Sequence, residues 1–193
     1  MKYKYIIGID PSGAYYEGKG TTGYCVYMAA DKKFIDLGKI QASGHDCAEA
    51  YWHAHINFLN STIFSARGKR KNKDKHTIVV IEDYFLYANK AESQINSRME
   101  TSKLIGIIQH WCWTHGIPYC MQPAAQVKQR WADSILEHKG YIKKKNGNYF
   151  IKLLRFDNLL QSEERSYSSK STHFFRFFCQ ATALVLPRHT VRY

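Results

Sequence analysis

Short apolar runs alternate along the chain with compact turn signals. YIIGID at 5–10 is apolar and is closed by Pro11, Ser12 and Gly13, which predicts a buried strand stopping at a turn. GYCVYM at 23–28 and FIDLGKI at 34–40 predict two more strands, with Asp31, Lys32 and Lys33 turning the chain between them. Three strands this close in sequence predict an antiparallel meander. Ser43 reads as the cap of a following helix with acidic residues in its first turn, continued at helical spacing by Ala50, His53, Ala54, Phe58 and Leu59. After a charged linker at 66–75, TIVVI at 77–81 is the clearest buried strand, and it ends on Glu82. A helix is predicted over 97–115 through Leu104, Ile107, Ile108 and Trp111, stopping near Gly116 and Pro118.

A brief strand at 119–121 and a helix at 124–136 follow. Asn146 and Gly147 between alternating segments predict a hairpin across 141–151, an insertion in the domain. Residues 161–172 read as a polar linker, and 174–193 as an apolar closing segment interrupted by Pro187. The order βββ-α-β-α-β-α predicts one α/β domain over 1–193, a mixed central β-sheet flanked by α-helices.

Composition narrows the partners. The 193 residues suffice for one well-buried domain, and 45% of them are hydrophobic. Lys and Arg number 28 against 16 acidic residues, a net charge of +12, which favours a polyanion because basic side chains displace counterions from phosphates. An aromatic content of 15% suits stacking on unpaired or distorted bases. Cys25, Cys47, Cys112, Cys120 and Cys179 are scattered without a CxxC pair, so they read as reduced thiols of a cytoplasmic protein. No signal-peptide layout and no membrane-length apolar run stand out.

Candidate chemistry sits where two buried strands end. Asp10 closes one and Glu82 the other. Singly, each reads better as a turn former or a solvated strand end. Together, in a basic chain, they make a hard-oxygen site of the kind Mg²⁺ or Mn²⁺ prefers. Two-metal phosphodiester hydrolysis uses such shared carboxylates. The Gly13–Lys19 stretch nearly fits a phosphate-binding P-loop, but Gly20 stands where Ser or Thr is required and a strand follows instead of a helix. An actin-like ATPase needs two such domains, and the chain is too short for them.

At this point the motifs resemble those of the RuvC-type Holliday junction resolvases, of the RNase H-like superfamily. IIGIDPSG at 6–13 followed by TGYCV at 22–26 is similar to the first motif, with a longer intervening segment like that of phage-type members. VVIE at 79–82 followed by Phe85 is similar to the second, and PAAQVKQ at 123–129 to the third. The resemblance implies an RNase H-like fold and Mg²⁺-dependent (or Mn²⁺-dependent) cleavage of four-way junctions or related branched DNA, with two ions per site. It implies Asp10 and Glu82 as metal ligands, and Lys128 as a catalytic cation at the scissile phosphate. It also implies Phe85, with Tyr84 and Tyr87 beside it, as a stacking wedge, and a homodimer that cuts opposed strands. Lys90 and Lys103 join Tyr84, Phe85 and Lys128 as DNA-binding candidates.

The tail departs from the pattern. The family closes its metal site with further carboxylates on a last helix, whereas this chain has no Asp or Glu after Glu164. Thr182, Arg176 or Val185 takes the aspartate position, depending on the register chosen. His173 and His189 are possible substitute ligands, although imidazole is a softer donor than Mg²⁺ favours. Two explanations fit: a weakened or inactive member that still binds branched DNA, or an altered reading frame across 174–186.

Overall fold

The computed structural model describes residues 3–16, 18–31, 33–64, 76–84, 99–123, 133–138, 142–145, 148–152 and 164–167. β1 (Tyr5–Asp10), β2 (Thr21–Met28) and β3 (Lys33–Gln41) form the antiparallel meander, with a register shift in the β2–β3 ladder between Val26 and Tyr27. β4 (Thr77–Asp83) then pairs in parallel with β1, and β5 (Tyr119–Pro123) in parallel with β4. The five strands lie in the order β3-β2-β1-β4-β5, a mixed sheet with β1 at its centre.

Both faces of this sheet are buried, which is why β1 and β4 read as continuous apolar runs. On the first face α1 (Ala48–Ile63) and α2 (Glu100–Thr114) pack Leu59, Ile63, Leu104, Ile108, Trp111 and Cys112 onto Ile7, Ile9, Val26, Val79 and Ile81. On the second face Ile6, Cys25, Tyr27, Ile78 and Val80 form a separate cluster, with Phe34, Leu37 and Cys120 packed against it. Side chains alternate along a strand, so this division fixes where every later strand residue stands.

Several elements differ from expectation. Ser43 does not cap α1; it lies in a short 3-10 turn (Ala42–Gly44) anchored by the buried Ala42, whose N–H donates to the Gly20 carbonyl at 2.8 Å. The helix starts four residues later, capped by Cys47, whose Sγ accepts from the Ala50 N–H at 3.4 Å. The buried stripe of α1 is Ala48, Tyr51, His55, Leu59 and Ile63; Ala50 and His53 are exposed. The mistake has a physical origin. Tyr51 and His55 carry polar tips, and their burial depends on partners distant in sequence.

The hairpin forms as β6 (Ile142–Lys145) and β7 (Asn148–Lys152). The stretch 161–172 is not all linker, because β8 (Glu164–Tyr167) pairs antiparallel with β7 and makes a second, three-stranded sheet. Its polar sequence, ERSY, hid a strand with little apolar alternation. α3 (Asp133–His138) overlaps the end of the helix expected at 124–136, whose first part lies outside the described residues, as do the closing segment 174–193 and the charged linker beyond Ser65. No helix among the described residues is long and apolar enough to cross a membrane.

Candidate functional site

Asp10 is the last residue of β1 and Glu82 the penultimate residue of β4. The parallel ladder pairs Ile9 with Ile81, so the two carboxylates occupy the next step along adjacent strands. Both alternate in phase with the second face: Asp10 follows Ile6 and Gly8, and Glu82 follows Ile78 and Val80. Neighbouring strands are about 4.8 Å apart, which brings the two acids side by side at the carboxyl end of the sheet. Glu82 is only 6% exposed and Asp10 is partly buried.

Across the next ladder Glu82 pairs with Gln122 on β5. Gln122 follows Cys120 at the strand period, so it shares the same face. It is 0% exposed, and neither its Oε1 nor its Nε2 has a hydrogen-bond partner among the described residues. Asp10, Glu82 and Gln122 thus form a row over three adjacent strands.

The turn after Asp10 is held by a buried polar network. Thr22 Oγ1 accepts from the Ser12 N–H at 3.0 Å and lies 2.8 Å from His55 Nε2. His55 Nδ1 lies 2.9 Å from the Tyr51 carbonyl, which can only accept, so Nδ1 carries the proton and Thr22 donates to Nε2. Tyr51 donates its hydroxyl proton to the Ser12 carbonyl at 2.6 Å. Burial drives the His55 imidazolium down to a pKa of about 4, so the neutral ring this proton order requires is the one present at neutral pH. One residue on, the Gly13 N–H donates to Thr101 Oγ1 at 3.1 Å, and a Cβ on Gly13 would collide with the Glu100 carbonyl. The chain leaving Asp10 is therefore clamped between α1 and the start of α2. Met99, which caps α2, takes a left-handed conformation with φ of 51°.

Of the other candidates, Lys103 is exposed on the first turn of α2. Tyr84 is partly buried against the first-face core. Phe85, Tyr87, Lys90, Lys128, His173 and His189 lie outside the described residues. Sequence reasoning missed Gln122, Tyr51 and His55. Thr22 stood inside a recognised motif, but nothing local marked its partners.

The donor set is oxygen throughout: two carboxylates with a buried amide beside them. That chemistry fits a hard divalent cation. Among the described residues no group of three or more His, Cys, Asp or Glu could hold a metal, so they do not by themselves assemble the two-ion site. A cleft near 280 Å³, lined by Tyr5, Ile7, Ile35, Asp36 and Thr77 among others, lies at the opposite end of β1 and β4.

No family model and no curated protein matches the sequence. Solved structures do. *T. thermophilus* RuvC in complex with a Holliday junction substrate aligns with a TM-score of 0.53 at 14% identity, over 94% of this chain and 96% of that one. A second *Thermus thermophilus* RuvC structure gives the same values. YeaZ from *Pseudomonas aeruginosa* aligns at a TM-score of 0.39 and 8% identity, over 86% of this chain and 65% of that one. The chain has the RuvC-like, RNase H-like α/β fold.

Proposed function

We propose that the chain is a structure-specific endonuclease that hydrolyses phosphodiester bonds in branched DNA, four-way junctions first. The observation that carries this reading is the placement of Asp10 and Glu82 at adjacent strand ends, on one face, in a fold shared with a protein solved on a Holliday junction. A divalent cation, Mg²⁺ or Mn²⁺, would supply the positive charge that lowers the barrier to in-line attack of water on the phosphate. Asp10 and Glu82 hold it, and the clamp on Ser12 and Gly13 keeps Asp10 in place. Lys128 offsets charge developing on the phosphate oxygens. Phe85 and Tyr84 stack on bases at the branch, while Lys90 and Lys103 contact the backbone, in keeping with the net charge of +12. A homodimer in the cytoplasm, in a phage host for a phage-type member, would present two matched sites to opposed strands.

A second reading, binding without cleavage, is favoured by one observation: among the described residues no third Asp, Glu, His or Cys side chain joins Asp10 and Glu82. A synthetic four-way junction incubated with the full chain and Mg²⁺ separates the two. The nuclease reading expects paired nicks that fall at least ~10³-fold in Asp10→Asn and Glu82→Gln, with junction binding retained. Retarded but uncut junction in both Mg²⁺ and Mn²⁺ selects the binding reading. Cutting that survives Asp10→Asn overturns the proposed site.

A further inference from the structure

A fully buried amide with neither end hydrogen-bonded is expensive. Removing such a group from water without compensation costs roughly 1–3 kcal/mol in proteins. Gln122 carries that cost at 0% exposure, with neither its Oε1 nor its Nε2 paired among the described residues. A methionine or leucine there would fill similar space at no polar cost. What distinguishes the position is its neighbour: Gln122 is the ladder partner of Glu82, on the face that also carries Asp10.

We infer that Gln122 is a cation-binding residue, its side-chain carbonyl oxygen serving as the third protein donor beside Asp10 and Glu82. The inference rests on the reading of those two carboxylates as a cation site and deepens it. Amide carbonyls are hard, neutral oxygen donors of the kind that join carboxylates around Ca²⁺. A neutral third donor leaves the ionised set with two negative charges, which one divalent cation balances. The Nε2 group is a pure donor, suited to a carboxylate oxygen of Glu82 or to a phosphate oxygen of the substrate. Gln122 thus contributes a ligand without the repulsion a third carboxylate would add on the next strand.

Calorimetric titration of the DNA-free, full-length protein with Mn²⁺, paired with thermal melts in chelator, tests this. Gln122→Met is expected to melt at or above the wild-type temperature in chelator, because the orphan amide is gone, and to bind Mn²⁺ at least ~10-fold more weakly. Gln122→Glu is expected to melt lower in chelator and to recover with Mn²⁺ by a larger shift than wild type. Wild-type Mn²⁺ affinity in Gln122→Met overturns the inference. If Gln122→Met does not fold, a Gln122→Glu protein whose Mn²⁺-induced shift is no larger than wild type overturns it instead. Asp10→Asn keeps the two levels apart. If it abolishes Mn²⁺ binding while Gln122→Met leaves it intact, only the role of Gln122 fails. If wild type binds no Mn²⁺, or Asp10→Asn changes nothing, the cation site fails and the inference with it.

Discussion

Two buried polar regions flank Asp10, and they are built on opposite principles. On the side of α1, Thr22, Tyr51, His55 and the backbone of Ser12 form a closed network in which each proton has one acceptor. On the side of β4 and β5, Gln122 sits fully buried with its amide unpaired among the described residues. A satisfied network rigidifies what it touches, and here it touches the turn that carries Asp10. An unsatisfied group at the same depth is a cost that packing alone does not explain. The first region is a support and the second a receptor.

Substitutions that remove one polar atom from each region should therefore move stability in opposite directions. Thr22→Val is nearly isosteric, yet it strands the Ser12 N–H and His55 Nε2 together. We expect a loss of roughly 2–4 kcal/mol in denaturant unfolding at neutral pH. The contrast breaks if Thr22→Val is as stable as wild type, or if Gln122→Met loses as much in chelator.

Acid sharpens the same contrast. His55 takes up a proton near pH 6.5 when unfolded but only at about 4 when folded. Between those values the unfolded chain binds more protons at this site, so the contribution of His55 to stability is full above pH 6.5 and is lost as pH drops toward 4. The full contribution is about 3 kcal/mol. Unfolding profiles across that window should show the decline in wild type and a shallower one in His55→Gln. Equal slopes would mean that the ring is not buried neutral.

The parts of the molecule that sequence foretold are those in which each residue's role is local. β1 and β4 were readable because an apolar run ended on an acid, and both acids do stand at the ends of adjacent strands. The face of α1 was not. Tyr51 and His55 look like surface residues until Ser12 and Thr22, more than 25 positions away, satisfy them. Gln122 was invisible for a related reason: an amide at a strand end signals nothing until its ladder partner is known to be Glu82. β8 went unseen because a short polar strand is defined by its partner, here β7, and not by its own pattern. Asp10 and Glu82 could be named from sequence, but Gln122, on the other side of Glu82, could not.

The smallest effect probes how tightly support and receptor are joined. Tyr51→Phe removes one donor, the hydroxyl that binds the Ser12 carbonyl, and leaves the ring packing of Tyr51 in place. A single neutral hydrogen bond contributes about 1 kcal/mol, and the Ser12 carbonyl can turn toward water in its absence. The Thr22 bond to the Ser12 N–H survives, so the turn after Asp10 should loosen without melting. We expect about 1 kcal/mol of lost stability and a Mn²⁺ affinity lowered several-fold, because Asp10 is then less well held. If affinity is unchanged while stability falls, the network supports the fold alone, and the position of Asp10 is set by β1 and by the contact of Gly13 with α2.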